Sequence, residues 1–304
     1  MYYRWSFELP EAQHPTADMA RSSILAALLG IGFIAAPRLS ADEPSLKDVL
    51  RRMAAYVQSY GAKASIFVAT EHYTLHVTGG DRPAPEDRVT VADFAIVRAE
   101  GLGGWVGFRD VREADGARIG DHRDRLLKVL SDVSGSLDEA KRLSDESARY
   151  NIGPVSRNFN VPTAALFFFS PQNLDRFKFT RKSVAPDGTW EIAFRETERP
   201  TLVRTPEGRS VPSEGSIWVK VSDGTVLRTS LRMKEFGRGG AAVARHAGTA
   251  QIDVSYTRIS DIDMWLPEVM VESYEMPRGM RRERTTTEAR YSDYRRFQTS
   301  GRIK

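Results

Sequence analysis

The stretch Gly215–Arg228 (GSIWVKVSDGTVLR) contains two runs of alternating apolar side chains on either side of the dipeptide Asp223-Gly224. Alternation with a period of two is typical of a β-strand with one buried face, and Asp-Gly favours a tight turn between antiparallel strands. The stretch therefore predicts a β-hairpin, with Ile217 and Val219 on the buried face of its first strand.

The same period of two recurs on both sides of this hairpin, from Phe177 to the C-terminal end. The apolar positions expected on one face of these strands are Phe177/Phe179, Trp190/Ile192/Phe194, Ile217/Val219/Val221, Leu227/Leu231/Met233, Ile252/Val254/Tyr256 and Val269/Val271. The polar positions expected on the opposite face are Arg228, Arg232, Lys234, Asp253 and Glu272. A last strand is predicted over 284–297. This pattern predicts an antiparallel sheet with one solvated face.

The N-terminal half combines helices with three further strands. The spacing of apolar residues between 46 and 57 predicts an amphipathic helix that begins at Ser45 and ends at Gly61. Strands are predicted at 66–77, 88–98 and 104–113, and helices at 121–131, 136–150 and 163–169. The sum is an α+β fold with ten or eleven antiparallel strands. So many strands curl rather than stay flat, and we expect the central helical insertion to cover the concave face.

The composition fits a folded globular protein. The 304 residues are 41% hydrophobic and 28% charged, and they include 15 Pro, 23 Gly and no Cys. These values exclude collagen-like, disordered and disulfide-stabilised classes, and the lack of Cys excludes a thiolate metal site. The net charge of +4 is too small to indicate a nucleic-acid partner.

An apolar run of 13 residues, Ile24–Ala36, follows Arg21 and precedes Leu39-Ser40-Ala41. A secretory signal peptide has three parts, namely a basic residue, a short apolar run and small residues at the cleavage site. An uncleaved anchor or a buried core helix is the alternative.

We expect the signal peptide to span residues 19–41, with cleavage after Ala41. Residues 1–18 are then an upstream extension ahead of the true start at Met19. The mature protein, residues 42–304, is expected to be one domain in the periplasm or outside the cell.

No established catalytic motif is found, because the sequence contains no G-x-S-x-G elbow, no P-loop and no H-E-x-x-H. His72 and His76 have a spacing that would suit zinc on a helix, but their neighbours predict a strand, where four residues span about 13 Å. We therefore expect no metal and no cofactor. Asp261 and Asp263 are interpreted as turn residues, and Glu196 as part of an ion-paired strand end.

The segment Ala164–Phe169 (AALFFF) places three consecutive Phe on a short helix, where they cannot all face one side. Either the helix is buried all round or one of its faces lines an apolar cavity. For the second alternative, the residues expected in the cavity wall are Phe167, Phe168, Phe169, Trp190 and Phe194.

The C-terminal segment Pro277–Lys304 contains nine basic and three acidic residues, a net charge of +6. Its arginines predict a basic surface for an anionic lipid membrane or an acidic partner, and the residues are Arg281, Arg282, Arg284, Arg295 and Arg296. Interleaved aromatic residues would also suit single-stranded nucleic acid, but export argues against that partner. The alternative is an edge strand that its charges keep soluble.

The order of predicted elements resembles the periplasmic lipoprotein-carrier superfamily, which comprises LolA/LolB-like proteins and the related RseB/MucB-type sensors. The local match is the Gly215–Arg228 hairpin, supported by Trp265-Leu266-Pro267 and by the ending Tyr291–Phe297. The ending also resembles a set of exported bacterial proteins. The resemblance covers residues 45–297 and implies an unclosed β-barrel whose helices form a lid over an apolar cavity for acyl chains. It implies no catalytic residues, and this chain is longer than the compact carriers.

These observations predict a monomeric periplasmic protein that holds a lipid or other apolar ligand without catalysis, as a carrier or an envelope sensor. A protein-interaction module of the cell envelope is the alternative. An exported hydrolase ranks third, because the sequence offers no nucleophile–base set. The expected partners are an apolar small molecule or acyl chain, together with an envelope protein or an anionic lipid surface, and no nucleic acid.

Overall fold

The computed structural model describes residues 43–63, 66–98, 105–119, 126, 142–143, 145–152, 162–204, 208–236, 248–278 and 280–296. The expected leader, residues 1–18 and 19–41, lies outside the described residues, as do most of the helices expected at 121–131 and 136–150. Of that central segment the structure describes helical residues at 126, 142–143 and 145–147 and a 3-10 turn at Ala148–Tyr150. The role of the insertion as a cover for the concave face stays a prediction.

Long strands dominate the described part of the chain. The two α-helices bounded there are α1 (Leu46–Lys63) and α2 (Ala164–Phe168). The strands are β1 (Ile66–Gly79), β2 (Glu86–Arg98), β3 (Trp105–Ala114), β4 (Ala117–Arg118), β5 (Phe177–Val184), β6 (Thr189–Glu196), β7 (Ser213–Lys220), β8 (Val226–Phe236), β9 (Gly248–Ile259), β10 (Met264–Arg278) and β11 (Arg281–Arg296).

These strands pair into a single antiparallel sheet in the order β4-β3-β2-β1-β11-β10-β9-β8-β7-β6-β5. β4 and β5 lie at opposite ends of this order, so the described sheet is open. The prediction of a large, unclosed antiparallel sheet is confirmed. Every neighbouring pair except β1–β11 is consecutive in the chain, which makes the sheet two meanders joined by one ladder.

The joining ladder places β11 in the interior of the sheet. Its twelve residue pairs run from Phe67 opposite Arg296 to Gly79 opposite Glu283, and β10 pairs with the other side of β11. The interpretation of the basic C-terminal segment as an edge strand is therefore wrong. Charged side chains do not distinguish an edge strand from an interior one, because one face of an antiparallel sheet is exposed to solvent along all of its strands.

Long side chains on the buried face connect strands that are not neighbours. Arg109 on β3 is bonded to Glu71 on β1, two strand positions away. Tyr73 on β1 is bonded to Glu272 on β10, also two positions away.

The predicted faces of β10 are reversed. We expected Val271 to face inward and Glu272 to face outward, and this was wrong: Val271 is 42% exposed and Glu272 is fully buried. The strand contains two apolar sets in opposite phase, and the buried set is the one with Leu266, Met270 and Tyr274. A β-bulge also shifts the register of β10 against β9 between Pro267 and Val269.

A second bulge lies in the β7–β8 hairpin. The register shifts after Trp218, so that Val219 pairs with Val226. Val226 is buried, whereas Leu227, which the alternation predicts for the core, is only half-buried. The hairpin itself, with its Asp-Gly turn, is present as predicted.

Helix α1 begins at the capping box that the sequence predicts. The Ser45 hydroxyl accepts a hydrogen bond from the Asp48 amide at 3.1 Å and donates one to the Asp48 carboxylate at 2.6 Å. The bond from Ser45 lowers the pKa of Asp48. The expected end at Gly61 was wrong, because the helix continues to Lys63 and Gly61 is buried within it.

Helix α1 crosses the inner face of the sheet, which we define as the face that carries the buried side chains. The apolar face of the helix is buried and consists of Val49, Met53, Val57 and Tyr60. Glu43, just before the helix, forms an ion pair with Arg181 of β5 at 2.5 Å. The C-terminal end of the helix leads into β1, so the helix runs from the β5 side of the sheet to its centre.

The turn between β7 and β8 supports α1 through Gly224. Its φ is +77°, and an added Cβ would lie 2.3 Å from the Arg52 carbonyl carbon in the helix. The Arg52 guanidinium donates a hydrogen bond to the Val221 carbonyl at 2.8 Å in the same turn. Only glycine combines this left-handed conformation with so close an approach of two backbones.

We predict that Gly224→Ala lowers the free energy of unfolding by about 3 kcal/mol, because it adds both left-handed strain and a collision with the helix backbone. The matched control is Gly188→Ala in the β5–β6 turn, where φ is +81° but nothing lies within 4 Å of the added Cβ. The control should lose only about 1 kcal/mol. Urea unfolding measures both losses, and equal losses would contradict a close contact between turn and helix.

Candidate functional site

The inner face of the sheet has two halves of different chemistry. Strands β5 to β9 form an apolar half, which includes Ile192, Ile217, Leu231, Val254 and Tyr256. Strands β10, β11, β1 and β3 form the half that we call polar. It carries buried apolar side chains such as Leu75 and Met270, but also buried polar side chains, among them Glu71, Tyr73, Arg109, Glu272, Tyr274, Glu283, Thr285 and Thr287. One cross-strand row shows the change, since Thr287, Glu272, Ile252 and Leu231 lie opposite one another in turn.

Five phenylalanines form an aromatic cluster at the β5 end of the apolar half. They are Phe168, Phe169, Phe177, Phe179 and Phe194. The ring centroids of Phe169 and Phe194 lie 5.0 Å apart in an edge-to-face arrangement, and those of Phe168 and Phe177 lie 5.7 Å apart in a stacked one. These are the preferred geometries of aromatic pairs. Gly215 makes room for the cluster, because an added Cβ would lie 2.9 Å from the Phe194 ring.

Hydrogen bonds at both ends hold α2 over this cluster. The Ser170 hydroxyl and the Asn173 amide donate to the Phe167 carbonyl at 2.8 and 3.0 Å. On the other side, the Tyr256 hydroxyl of β9 donates to the Pro162 carbonyl at 2.9 Å. The short helix is thereby tied to the sheet, and its phenylalanines cannot turn away from the apolar half.

All five predicted wall residues lie in the hydrophobic core. Phe168, Phe169 and Phe194 belong to the aromatic cluster, and Trp190 lies 4.6 Å from the guanidinium of Arg181. Phe167 is the most exposed of the five, at 9%. Every residue of α2 except Ala164 is buried. That these residues form the wall of a ligand cavity stays a prediction.

The polar half is centred on Glu272. Its carboxylate accepts hydrogen bonds from Tyr73 of β1 at 2.9 Å, from Tyr274 of β10 at 2.6 Å and from Thr287 of β11 at 2.9 Å. Three strands thus supply donors to one fully buried carboxylate. Such bonds satisfy a buried charge that would otherwise be strongly destabilising.

A buried ion pair lies beside this carboxylate. Arg109 of β3 donates two hydrogen bonds to Glu71 of β1, at 2.6 and 2.9 Å, and its guanidinium lies 4.6 Å from the Phe94 ring. Burial alone would lower the pKa of Arg109, but Glu71, Tyr291 and Glu272 raise it above its ordinary value. The guanidinium therefore stays charged.

The sequence analysis missed this polar half for two reasons. Glu71 is in phase with the buried residues Ala69, Tyr73 and Leu75 of β1, so its inward position could have been recognised from alternation. Glu272 is likewise in phase with the buried residues Met270 and Tyr274 of β10, but Val269 and Val271 alternate in the opposite phase and obscure that signal. The bond from Arg109 to Glu71 spans two strand positions and has no local signal.

The five arginines of the predicted basic surface are all exposed, but they do not form one surface. Arg281, Arg282 and Arg284 lie at one end of β11, and Arg295 and Arg296 lie at the other end, about 40 Å away. The carboxylate of Glu275 is paired with Arg284 and lies 4.0 Å from Arg282. Arg295 lies 3.4 Å from Asp93. The basic side chains of this segment therefore form two separate groups, and acidic neighbours offset part of the charge of each group.

The other candidate residues from the sequence lie on the exposed side of a strand, in a turn and at the end of a strand. His72 and His76 lie on the exposed side of β1, and Asp263 lies in the β9–β10 turn with φ +52°. Glu196 at the end of β6 was expected to pair within its own stretch, which contains Arg195 and Arg199, but it lies 3.6 Å from Arg176 instead. Burial raises the pKa of Glu196, and the Leu202 amide, which donates to it at 2.7 Å, opposes that rise.

The described residues contain neither a metal-binding group nor a membrane-spanning helix. Within those residues, no three His, Asp or Glu side chains are grouped so that they could hold a metal ion. No helix in the described part of the chain is long and apolar enough to cross a membrane.

No protein-family model and no curated protein matches the sequence. Solved structures do show similarity to the chain. A domain from Vibrio parahaemolyticus described as an outer membrane lipoprotein-sorting protein shares 13% identity over 84% of this chain and 95% of its own, with a TM-score of 0.37. A LolA superfamily protein from Nitrosomonas europaea shares 10% identity over 80% and 94%, with a TM-score of 0.30.

A third structure, MucB in complex with MucA, shares 10% identity over 83% of this chain and 98% of its own, with a TM-score of 0.20. The solved structures to which the chain is similar thus include a protein described as a LolA superfamily member, the superfamily that the sequence resembles. This is a resemblance at low identity and low TM-score, and it assigns neither a ligand nor a partner to this chain.

We predict that Arg109→Leu lowers the free energy of unfolding by about 3–5 kcal/mol, because it leaves Glu71 buried without its counter-charge. The double variant Glu71→Leu/Arg109→Leu buries neither charge and should recover at least half of that loss. Urea unfolding of Glu71→Leu, Arg109→Leu and the double variant measures the coupling free energy between the two residues. If the double variant lost as much free energy of unfolding as the two single variants together, a direct interaction would be contradicted.

We also predict a pH dependence for Glu196→Gln. Folding raises the pKa of Glu196, so this group favours the folded state below the ordinary carboxyl pKa and destabilises it as the pH rises through the raised value. Glutamine lacks this effect, so the variant should gain stability relative to the wild type between about pH 4 and pH 7. Thermal unfolding at several pH values measures the difference, and a constant difference would contradict the raised pKa.

Proposed function

We propose that the protein binds a lipid or another apolar ligand with a polar end within the cell envelope, as a carrier or a sensor. The observation that supports this proposal is the division of the inner face, where buried aromatic rings continue into buried hydroxyl and carboxylate groups. An acyl chain against the apolar half would gain about 0.8 kcal/mol per buried CH₂. The predicted wall residues are the contacts proposed for that chain.

The charge of the polar half sets the expected head group. The polar half presents the buried carboxyl groups of Glu71 and Glu272, so a ligand that ends in a carboxylate would bring a further carboxylate beside them. A head group with hydroxyl donors suits the same surface. We therefore expect a monoacylglycerol to bind more tightly than the fatty acid with the same chain.

The buried charges also support a binding role over a purely structural one. Replacement of a buried ion pair by apolar residues of similar volume is often neutral or stabilising, so stability alone does not account for the pair. A polar surface within an apolar core is typical of ligand sites, where a few polar groups orient an otherwise apolar molecule.

Displacement of the neutral dye N-phenyl-1-naphthylamine from the purified full chain tests this function. We predict that 1-monoolein displaces the dye at lower concentration than oleate. Phe167→Ala should weaken monoolein binding about tenfold, since Phe167 is the most exposed wall residue. Val271→Ala, at an exposed position of β10 on the opposite face, is the matched control and should leave binding unchanged.

Two results would overturn the proposal. One is no uptake of dye or monoolein by protein that unfolds cooperatively. The other is equal affinity in Phe167→Ala and the wild type. Either result would leave the protein-interaction module as the leading alternative.

A further inference from the structure

The outward face of the sheet carries a groove of about 450 Å³ across β5 to β8. Its floor is a row of small side chains that lie opposite one another on the four strands, namely Thr180, Ala193, Ser216 and Ser230. The row beside it carries long side chains, namely Lys178, Arg195, Glu214 and Arg232. The hollow exists because short side chains lie next to long ones.

The groove is strongly cationic. Lys178, Lys182, Arg195 and Arg232 line it, against the single carboxylate of Glu214. That carboxylate is engaged by Lys234 at 2.7 Å, a bond that lowers the pKa of Glu214. Among the residues that the structure describes, no carboxylate lies within ion-pair distance of the four lining cations, Glu214 included.

Two further carboxylates lie beside the floor of the groove. Glu191 accepts hydrogen bonds from Ser183 and from the floor residue Ser216, each at 3.0 Å. Asp253, which follows Ser230 in the floor row, accepts a hydrogen bond from Gln251 at 2.8 Å and lies 3.8 Å from Arg228. Glu214 lies opposite Arg195 and Arg232 in the sheet and offsets part of their charge, so the lining itself keeps an excess of cations over carboxylates.

Protection of a sheet edge accounts for only part of this charge. β5 is the last strand of the sheet order, and lysines on an edge strand prevent pairing with other chains. Arg195 and Arg232 lie on β6 and β8, which have strands on both sides. Moreover, Lys178 lies directly opposite Arg195, an arrangement of like charges that is destabilising without an anion between them.

We propose that this groove binds a phosphoryl group, carried by a lipid head group or by a small soluble compound. Arginine matches phosphate with two parallel hydrogen bonds, and lysine adds a point charge. Lys178 and Arg232 are three strand spacings apart, about 14 Å, which gives room for a diphosphate or a phosphorylated head group. The groove lies on the opposite face from the acyl site, so the two proposals can fail separately.

Titration calorimetry of the purified full chain with pyrophosphate, in low salt, tests the groove. Arg195→Gln should weaken binding about tenfold, and Arg232→Gln should do so independently. The matched control is Arg290→Gln, which removes the same charge from an exposed position on β11, outside the groove. All three positions are exposed, so thermal unfolding should show unchanged stability.

Vesicles distinguish the two sources of the phosphoryl group. Binding to phosphatidylglycerol vesicles that Arg195→Gln weakens and Arg290→Gln preserves supports a lipid head group. Pyrophosphate binding with the same dependence, and no vesicle binding, supports a soluble phosphoryl compound. No binding to either probe, or equal weakening by Arg290→Gln, would overturn the proposal.

Discussion

The ladder between β1 and β11 is the contact on which the rest of the structure depends. It joins the meander β1–β4 to the meander β5–β11, and no other pair of described strands connects them. The polar half of the inner face lies across this ladder, since Tyr73 from β1 and Thr287 from β11 both donate to Glu272. Site and ladder therefore form together, late in folding, because the contact closes nearly the whole chain.

The two faces of the sheet follow from that arrangement. On the inner face, α1 and α2 cover an apolar surface that ends at buried carboxylates, an ion pair and three hydroxyls. On the outer face, the strands next to the aromatic cluster carry four cations and one carboxylate around a row of small side chains. The two proposals place a molecule with an apolar chain on one face and a phosphoryl group on the other.

Much of the fold could be predicted from the sequence, because alternation and turn residues are local signals. The Gly215–Arg228 hairpin, the capping box at Ser45 and the number of strands all follow from such signals. The neighbours of β11 could not be predicted, since strand order depends on contacts between distant segments. The inward position of Glu272 was missed because Val269 and Val271 alternate in the opposite phase to Met270 and Tyr274 of the same strand. The candidate site was therefore predicted only in its apolar half.

Native mass spectrometry of the full chain, expressed in bacteria and purified without detergent, tests the central claim most directly. The account predicts one apolar molecule bound per chain, released by organic extraction and carrying an uncharged or hydroxylated head group. A mass equal to that of the polypeptide alone, unchanged after incubation with monoolein, would contradict it.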